Sequence, residues 1–208
     1  MIYTVTLNPA VDRELTVPTL AFDTVLRASA WRVDCGGKGF NVSRMVHALG
    51  GESVALGFVG GRSGELLQAR LQALGIETNF VWVKGETRTN VSVVAAENGR
   101  HLKVNEPGPT IGADEQHAFL ATVERLAKAD DYWVLAGSLP PGIEPAFYGQ
   151  LIAVLQDVGA KVLFDSSGAS LQAGCAERPF LIKPNDVELQ QLLDRPVATL
   201  PQIRQAAA

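Results

Sequence analysis

The stretch CGGKGFNVSRMVHALG, residues 35–50, sets Gly36, Gly37 and Gly39 with Lys38 directly ahead of a helical pattern. From Phe40 the apolar residues Val42, Met45, Val46 and Leu49 fall at helical spacing, and Gly50 stands where a C-terminal cap belongs. A helix that opens out of a glycine loop leaves unpaired backbone NH groups at its start. Those groups attract anions, and the glycines let a ligand come close to the main chain. An ordinary glycine turn between strand and helix has the same look. Two better-known glycine motifs fail: Val42 stands where GxGxxG needs its third glycine, and Gly39 follows Lys38 where a P-loop needs Ser or Thr.

Outward from this stretch the chain alternates strands and helices. Ile2–Leu7 is rich in β-branched residues and reads as a strand that Asn8-Pro9 breaks. After the glycine loop and its helix come a strand over Ser53–Val59, a helix carrying Leu66, Leu67, Leu71 and Leu74 and closed by Gly75, and a strand near Phe80–Val83. The rhythm resumes with helix Ala113–Ala129, strand Tyr132–Ala136, helix Pro145–Val158, strand Lys161–Asp165, a short helix, strand Phe180–Lys183 and a helix from Asp186. Such alternation predicts an α/β fold, a parallel sheet covered by helices. Two stretches interrupt it, Arg13–Val33 and Thr89–Val104, the second with Asn98-Gly99 as a hairpin turn; both read as antiparallel strands. Together they predict a small β-sheet lid over the ends of the parallel strands, where open α/β sheets bind ligands. Residues 1–208 then form one domain, with lid strands inserted at 13–33 and 89–104.

Composition narrows the function classes. The 208 residues are 47% hydrophobic and 19% charged, enough to bury one sizeable core. Eighteen Lys and Arg against twenty-two Asp and Glu give a net charge of -4 with no block of one sign, which argues against a nucleic-acid partner. Cys35 and Cys175 form neither a disulfide framework nor a zinc pattern, as in a reducing, cytoplasmic chain. No apolar run is long enough for a membrane span, and Ile2 opens the first strand without a basic segment and apolar core ahead of it. His47, His101 and His117 are scattered and carry no assigned chemistry.

Taken in order, TLNPAVD at 6–12, GGKGFNVSR at 36–44 and TRTN at 87–90 resemble the phosphosugar-kinase pattern of the phosphofructokinase B, ribokinase-like, carbohydrate kinases. GSLPPG at 137–142, FDSSG at 164–168 and KPNDVE at 183–188 extend the likeness over essentially the whole chain. Its nearest look-alikes are the 1-phosphofructokinase, tagatose-6-phosphate kinase and minor 6-phosphofructokinase branches. The resemblance implies a ribokinase-like three-layer α/β/α core with a β-lid. It also implies ATP-dependent phosphorylation of a ketohexose phosphate, with magnesium accompanying the nucleotide. Separately, a lid of few strands would keep an open, apolar edge around Val91, Val93 and Val94, which predicts a homodimer joined through the lid strands.

Each site residue has a chemical reason beside that resemblance. Asp12, after a strand end and a proline turn, has a carboxylate suited to sugar hydroxyls, although an isolated Asp is more often a turn or cap residue. Asn41 offers a donor and an acceptor in the first turn of its helix, where it equally suits a cap. Arg88, Lys103 and Lys38 could gather positive charge at the lid, although each alone reads as a solvated side chain; by resemblance Arg88 is the forked phosphate ligand, with Lys38 and Lys103 as point charges on the same phosphate. Gly37, Asn90 and Ser138 complete the expected substrate set; Ser138 is no nucleophile elbow, because Ala136 and Pro140 break the G-x-S-x-G flanks. By resemblance Lys183 and Asn185 touch the nucleotide, and Asn185 with Glu188 holds magnesium through water, while on its own Asn185 reads as a helix cap. The family's catalytic base is the Asp of a Gly-Ala-Gly-Asp run, and no such run occurs in these 208 residues. The expectation is therefore a substrate-binding part that does not itself turn over ATP, the rival being a non-catalytic sugar-phosphate-binding or regulatory protein.

Overall fold

The structure is a computed structural model that describes residues 1–197 and 199–206. Its core is a six-stranded, all-parallel sheet built from β1 (Ile2–Thr6), β4 (Val54–Val59), β5 (Glu77–Trp82), β8 (Tyr132–Ala136), β9 (Lys161–Asp165) and β10 (Leu181–Ile182), in the order β10-β9-β8-β1-β4-β5. Helices α1 (Lys38–Ala48) and α2 (Gly61–Ala73) lie on one face, and α3 (Ala113–Leu126), α4 (Ala146–Asp157) and α5 (Gly168–Ala176) on the other. This is the expected three-layer core. Two further helices, α6 (Asp186–Leu193) and α7 (Leu200–Ala206), follow β10.

The weak alternation of the first strand has a simple cause: both of its faces are buried. Tyr3, Val5 and Leu7 enter the large cluster with Leu56, Phe58, Phe119, Trp133 and Leu151. Thr4 and Thr6 face α1, where the Thr4 and Ser43 hydroxyls meet at 2.7 Å and Thr6 Oγ1 accepts from the Phe40 NH at 3.2 Å. Small residues are needed on that side, since a Cβ on Gly39 would sit 2.7 Å from the Val5 carbonyl oxygen. The glycine loop thus lets the start of α1 rest on β1 and sets Lys38 and Asn41 above its carboxyl end.

The lid is a second sheet of four strands, β2 (Ala10–Val17), β3 (Ala30–Gly36), β6 (Arg88–Ala95) and β7 (His101–Asn105), in the order β3-β2-β6-β7. Three details differ from the sequence reading. The two strands of the first stretch reach beyond its expected bounds, from Ala10 to Gly36, and residues 18–29 between them form no strand. The two antiparallel pairs, β2 with β3 and β6 with β7, join through a parallel pairing of β2 with β6. That makes β6 an interior strand, so Val91, Val93 and Val94 are not on an open edge. Val91 and Val93 instead share an outer face with Trp31, Leu102 and Val104, the last three well exposed. The Asn98-Gly99 turn forms as expected, with Gly99 at φ +71 and the Arg100 NH donating to Asn98 Oδ1 at 3.0 Å.

Beyond α1 the sheet is less covered. Val134, Leu163 and Leu181 are aligned across β8, β9 and β10, and with Val42 and Ala136 they line a groove of about 210 Å³. No helix of the described residues is long and apolar enough to cross a membrane.

Candidate functional site

Between the carboxyl ends of the core strands and the inner face of the lid lies a cleft of about 310 Å³. Asp12, Gly37, Lys38, Asn41, Arg88, Asn90, Lys103 and Ser138 all line it, so every expected substrate residue faces one space. Strand period explains how the lid delivers its share. Asp12, Asn90 and Asn105 stand opposite one another on β2, β6 and β7, and Arg88 and Lys103 lie two residues away along their strands, which puts all five on one face. The Asn90 amide donates to Asp12 Oδ1 at 2.8 Å. Gly36 keeps room for that carboxylate, because a Cβ there would lie 2.6 Å from both Asp12 oxygens.

Arg88 is half-buried at the junction of lid and core. Its guanidinium donates to the Asn8 carbonyl at 2.9 Å and to the Glu106 carbonyl at 3.1 Å. Burial draws its pKa below the ordinary value and the Asp12 carboxylate opposes that shift; a guanidinium stays charged regardless. Among the described residues, Arg88 Nε, Asn8 Oδ1 and Asn90 Oδ1 are buried without a hydrogen-bond partner. Orphaned polar atoms of this kind are uncommon in folded proteins; of the five among the described residues these three belong to residues lining the cleft, while Ser53 Oγ and Trp133 Nε1 lie elsewhere.

The core side is equally built. Gly137 takes φ +107 at the end of β8, and its carbonyl accepts from Tyr148 Oη at 3.0 Å and Ser166 Oγ at 3.1 Å, which fixes where Ser138 enters the cleft. Burial, with the nearby Asp165 charge, pushes the Tyr148 phenol upward, so it remains a donor. Asn8, Thr6, Asn105, Ser166 and Ser167 also line the cleft, and sequence reasoning assigned them no role. The breaking Asn8-Pro9 pair and the FDSSG run were visible signals for two of these segments.

Lys38 is placed differently from expectation. It lines the cleft, but its ammonium pairs with Asp165 at 2.8 Å rather than standing free beside Arg88 and Lys103. Lys183 approaches the other oxygen of Asp165 at 3.3 Å. Asn185 and Glu188 are engaged with each other: Asn185 Oδ1 accepts from the Glu188 NH and Glu188 Oε2 accepts from the Asn185 NH, both at 2.8 Å, a capping box that starts α6. The cap reading of Asn185 therefore holds in this structure. No group of three acidic, His or Cys side chains suited to a metal is found among the described residues.

The parallel α/β core and its strand lid thus enclose one polar cleft lined by Lys38, Arg88 and Lys103. The chain matches the pfkB family of carbohydrate kinases over residues 5–208 and belongs to that family. It is 41% identical to the 1-phosphofructokinase of Vibrio cholerae serotype O1 over 207 residues, covering 100% of this chain and 65% of that protein. A tagatose-6-phosphate kinase of Staphylococcus epidermidis is 36% identical over 196 residues, covering 93% of this chain and 63% of its own length. The chain thus spans just under two thirds of the curated relatives it matches. Among solved structures, phosphofructokinase-2 from Escherichia coli in complex with substrates and products superposes with a TM-score of 0.94 at 33% identity, over 99% of this chain and 67% of that one. A possible 1-phosphofructokinase from Thermotoga maritima gives 0.86 at 30% identity, over 100% and 67%.

Proposed function

We propose that this chain is the substrate-binding part of an ATP-dependent kinase for a ketohexose phosphate: fructose 1-phosphate, fructose 6-phosphate or tagatose 6-phosphate. The observation that carries the reading is the single cleft shared by Arg88 and Lys103 with Asp12, Asn41 and Asn90. Two cations suit a phosphate bearing about two negative charges, and a carboxylate with two amides suits sugar hydroxyls. A neutral sugar has no use for the pair Arg88 and Lys103.

Phosphoryl transfer is largely positioning and charge neutralisation, with a group to orient the attacking hydroxyl. Arg88 anchors the sugar phosphate, and the Asp12–Asn90 pair orients the ring. The backbone NH groups at the start of α1 add positive potential to the same cleft. Nucleotide phosphates would meet Lys183 and the N-terminus of α6. Magnesium fits only through water, because the capping box already occupies Asn185 Oδ1 and Glu188 Oε2. Bound with the nucleotide, the ion would neutralise charge on the phosphates. No carboxylate among these residues is assigned as the base; Glu188 is held in its cap.

The test is calorimetry with fructose 1-phosphate, fructose 6-phosphate, tagatose 6-phosphate and free fructose, alongside ATP consumption by the 208-residue chain and by the protein its full reading frame encodes. Binding of a phosphosugar in preference to fructose, with sugar-dependent turnover only in a longer protein carrying a Gly-Ala-Gly-Asp run, supports the proposal. Equal affinity for fructose and its phosphates refutes the substrate class. A continuous frame without such a run favours the regulatory alternative.

A further inference from the structure

Asp165 closes β9 and lies at the boundary of two spaces. On one side is the 310 Å³ sugar cleft, which Lys38 lines; on the other is the 210 Å³ groove, lined by Lys38, Asp165 and Lys183 together. The carboxylate is only 16% exposed, and its oxygens are divided between two lysines, Lys38 at 2.8 Å from Oδ1 and Lys183 at 3.3 Å from Oδ2. Both lysine side chains are far more exposed than that of Asp165, so each can leave the pair at little cost, while the carboxylate cannot. Its place is fixed by the backbone: the Asp165 carbonyl accepts from the Gly137 NH at 2.9 Å, and the Lys183 NH is held to the preceding Phe164 carbonyl at 3.1 Å.

We infer that Asp165 is a positioning residue, a shared counter-ion that holds Lys38 out of the phosphate site while the sugar cleft is empty and releases it according to how firmly Lys183 holds the same carboxylate. The inference rests on the phosphosugar reading above and adds a coupling between the two sides of the site. A phosphate entering beside Arg88 must compete with Asp165 for Lys38. Any anion that draws Lys183 away leaves Asp165 to Lys38 alone and tightens the restraint. Conversely, a Lys183 that stays on Asp165 weakens its grip on Lys38. Coupling of this kind is reciprocal, since the lysines share one acceptor.

The experiment is a double-mutant cycle read by calorimetry with fructose 1-phosphate, with free fructose as the uncharged control and thermal melts to confirm folding. Asp165→Asn frees Lys38 and removes a charge that repels the phosphate, and it should tighten phosphosugar binding by about fivefold without changing fructose binding. Lys183→Met concentrates Asp165 on Lys38 and should weaken phosphosugar binding by about threefold, although Lys183 does not line the sugar cleft. In the Asp165→Asn background, Lys183→Met should have no further effect. Additive effects of the two substitutions, which a general change of surface potential would give, overturn the proposal, as does weaker binding in Asp165→Asn. If Asp165→Asn does not fold, Lys183→Met alone decides, and unchanged affinity overturns it. Failure of the unaltered protein to bind any phosphosugar removes the parent reading and this one with it, whereas additivity with normal binding removes only the counter-ion.

Discussion

Replacing Arg88 by alanine removes a tie and, on the proposed reading, a phosphate ligand at once, and the two losses are separable. The tie is structural: two hydrogen bonds from one guanidinium link the Asn8 carbonyl, after β1, to the Glu106 carbonyl, after β7. Bonds from a charged donor contribute about 1.5–3 kcal/mol each when buried, but water can replace part of both at this half-buried site, so a stability loss of about 1–2 kcal/mol is expected. The ligand loss is larger. A forked, charge-assisted contact to a dianionic phosphate in a partly desolvated cleft should be worth about 2–3 kcal/mol, a fall in affinity of roughly 30- to 150-fold. Arg88→Lys keeps the charge but loses the fork and should fall between, near tenfold. Calorimetry with fructose 1-phosphate and free fructose, with a thermal melt of each variant, separates the effects, because Asp12, Asn41 and Asn90 remain to bind the ring. An Arg88→Ala protein that melts earlier but binds the phosphosugar within about threefold of the original would show that Arg88 only fastens lid to core.

Gly36→Ala should lower sugar and phosphosugar affinity alike by about tenfold with a small change in melting temperature, since its Cβ displaces the movable Asp12 carboxylate rather than backbone. The outer lid face should pair two copies: sedimentation of the intact protein should show a dimer, and Trp31→Arg or Leu102→Arg should yield monomers, whereas a strict monomer before substitution rejects the lid interface. Burial pushes the Cys35 thiol from its ordinary 9.0 up to about 11, so iodoacetamide at pH 8 should label it only after unfolding. Its folded pKa is the raised one, so the associated stability is present below about pH 9 and fades as pH rises toward 11; a melting temperature flat across that window would contradict the burial.

The core was legible because its signals are local. Helical spacing around Val42 and Met45, glycine caps at Gly50 and Gly75, and short apolar runs place each α and β element within a few residues of its observed limits. Strand ends moved by one to three residues, as at Glu77–Trp82 against an expected Phe80–Val83, because polar Glu77 and Thr78 pair with β4 although nothing in their chemistry announces a strand. Long-range pairing was not legible. Nothing near Asp12 or Asn90 reveals that β2 and β6, some 78 residues apart, run parallel. A sequence period of two could say that Arg88 and Asn90 share a face; it could not say that Asp12 stands beside them.

That same limit explains the one lysine placed differently. Lys38 was grouped with Arg88 and Lys103 by charge and motif alone, and charge alone does not choose among acceptors. Asp165 reaches Lys38 from the far end of β9, 127 residues away, because β9 is two strands from β1 and ends at the same crevice. Parallel order forces that meeting: every core strand delivers its last residue to the same side of the sheet, so Thr6, Ala136 and Asp165, with Lys183 just past β10, come to one edge whatever their separation in the chain. On the proposed reading, a lysine at the start of α1 has two competitors for its charge, an incoming phosphate and the carboxylate of β9. In this structure the carboxylate holds it. If the proposal holds, function at this site depends on the difference between those two attractions, not on the charge of Lys38 by itself, which is why the Asp165→Asn and Lys183→Met cycle is more informative than removal of Lys38.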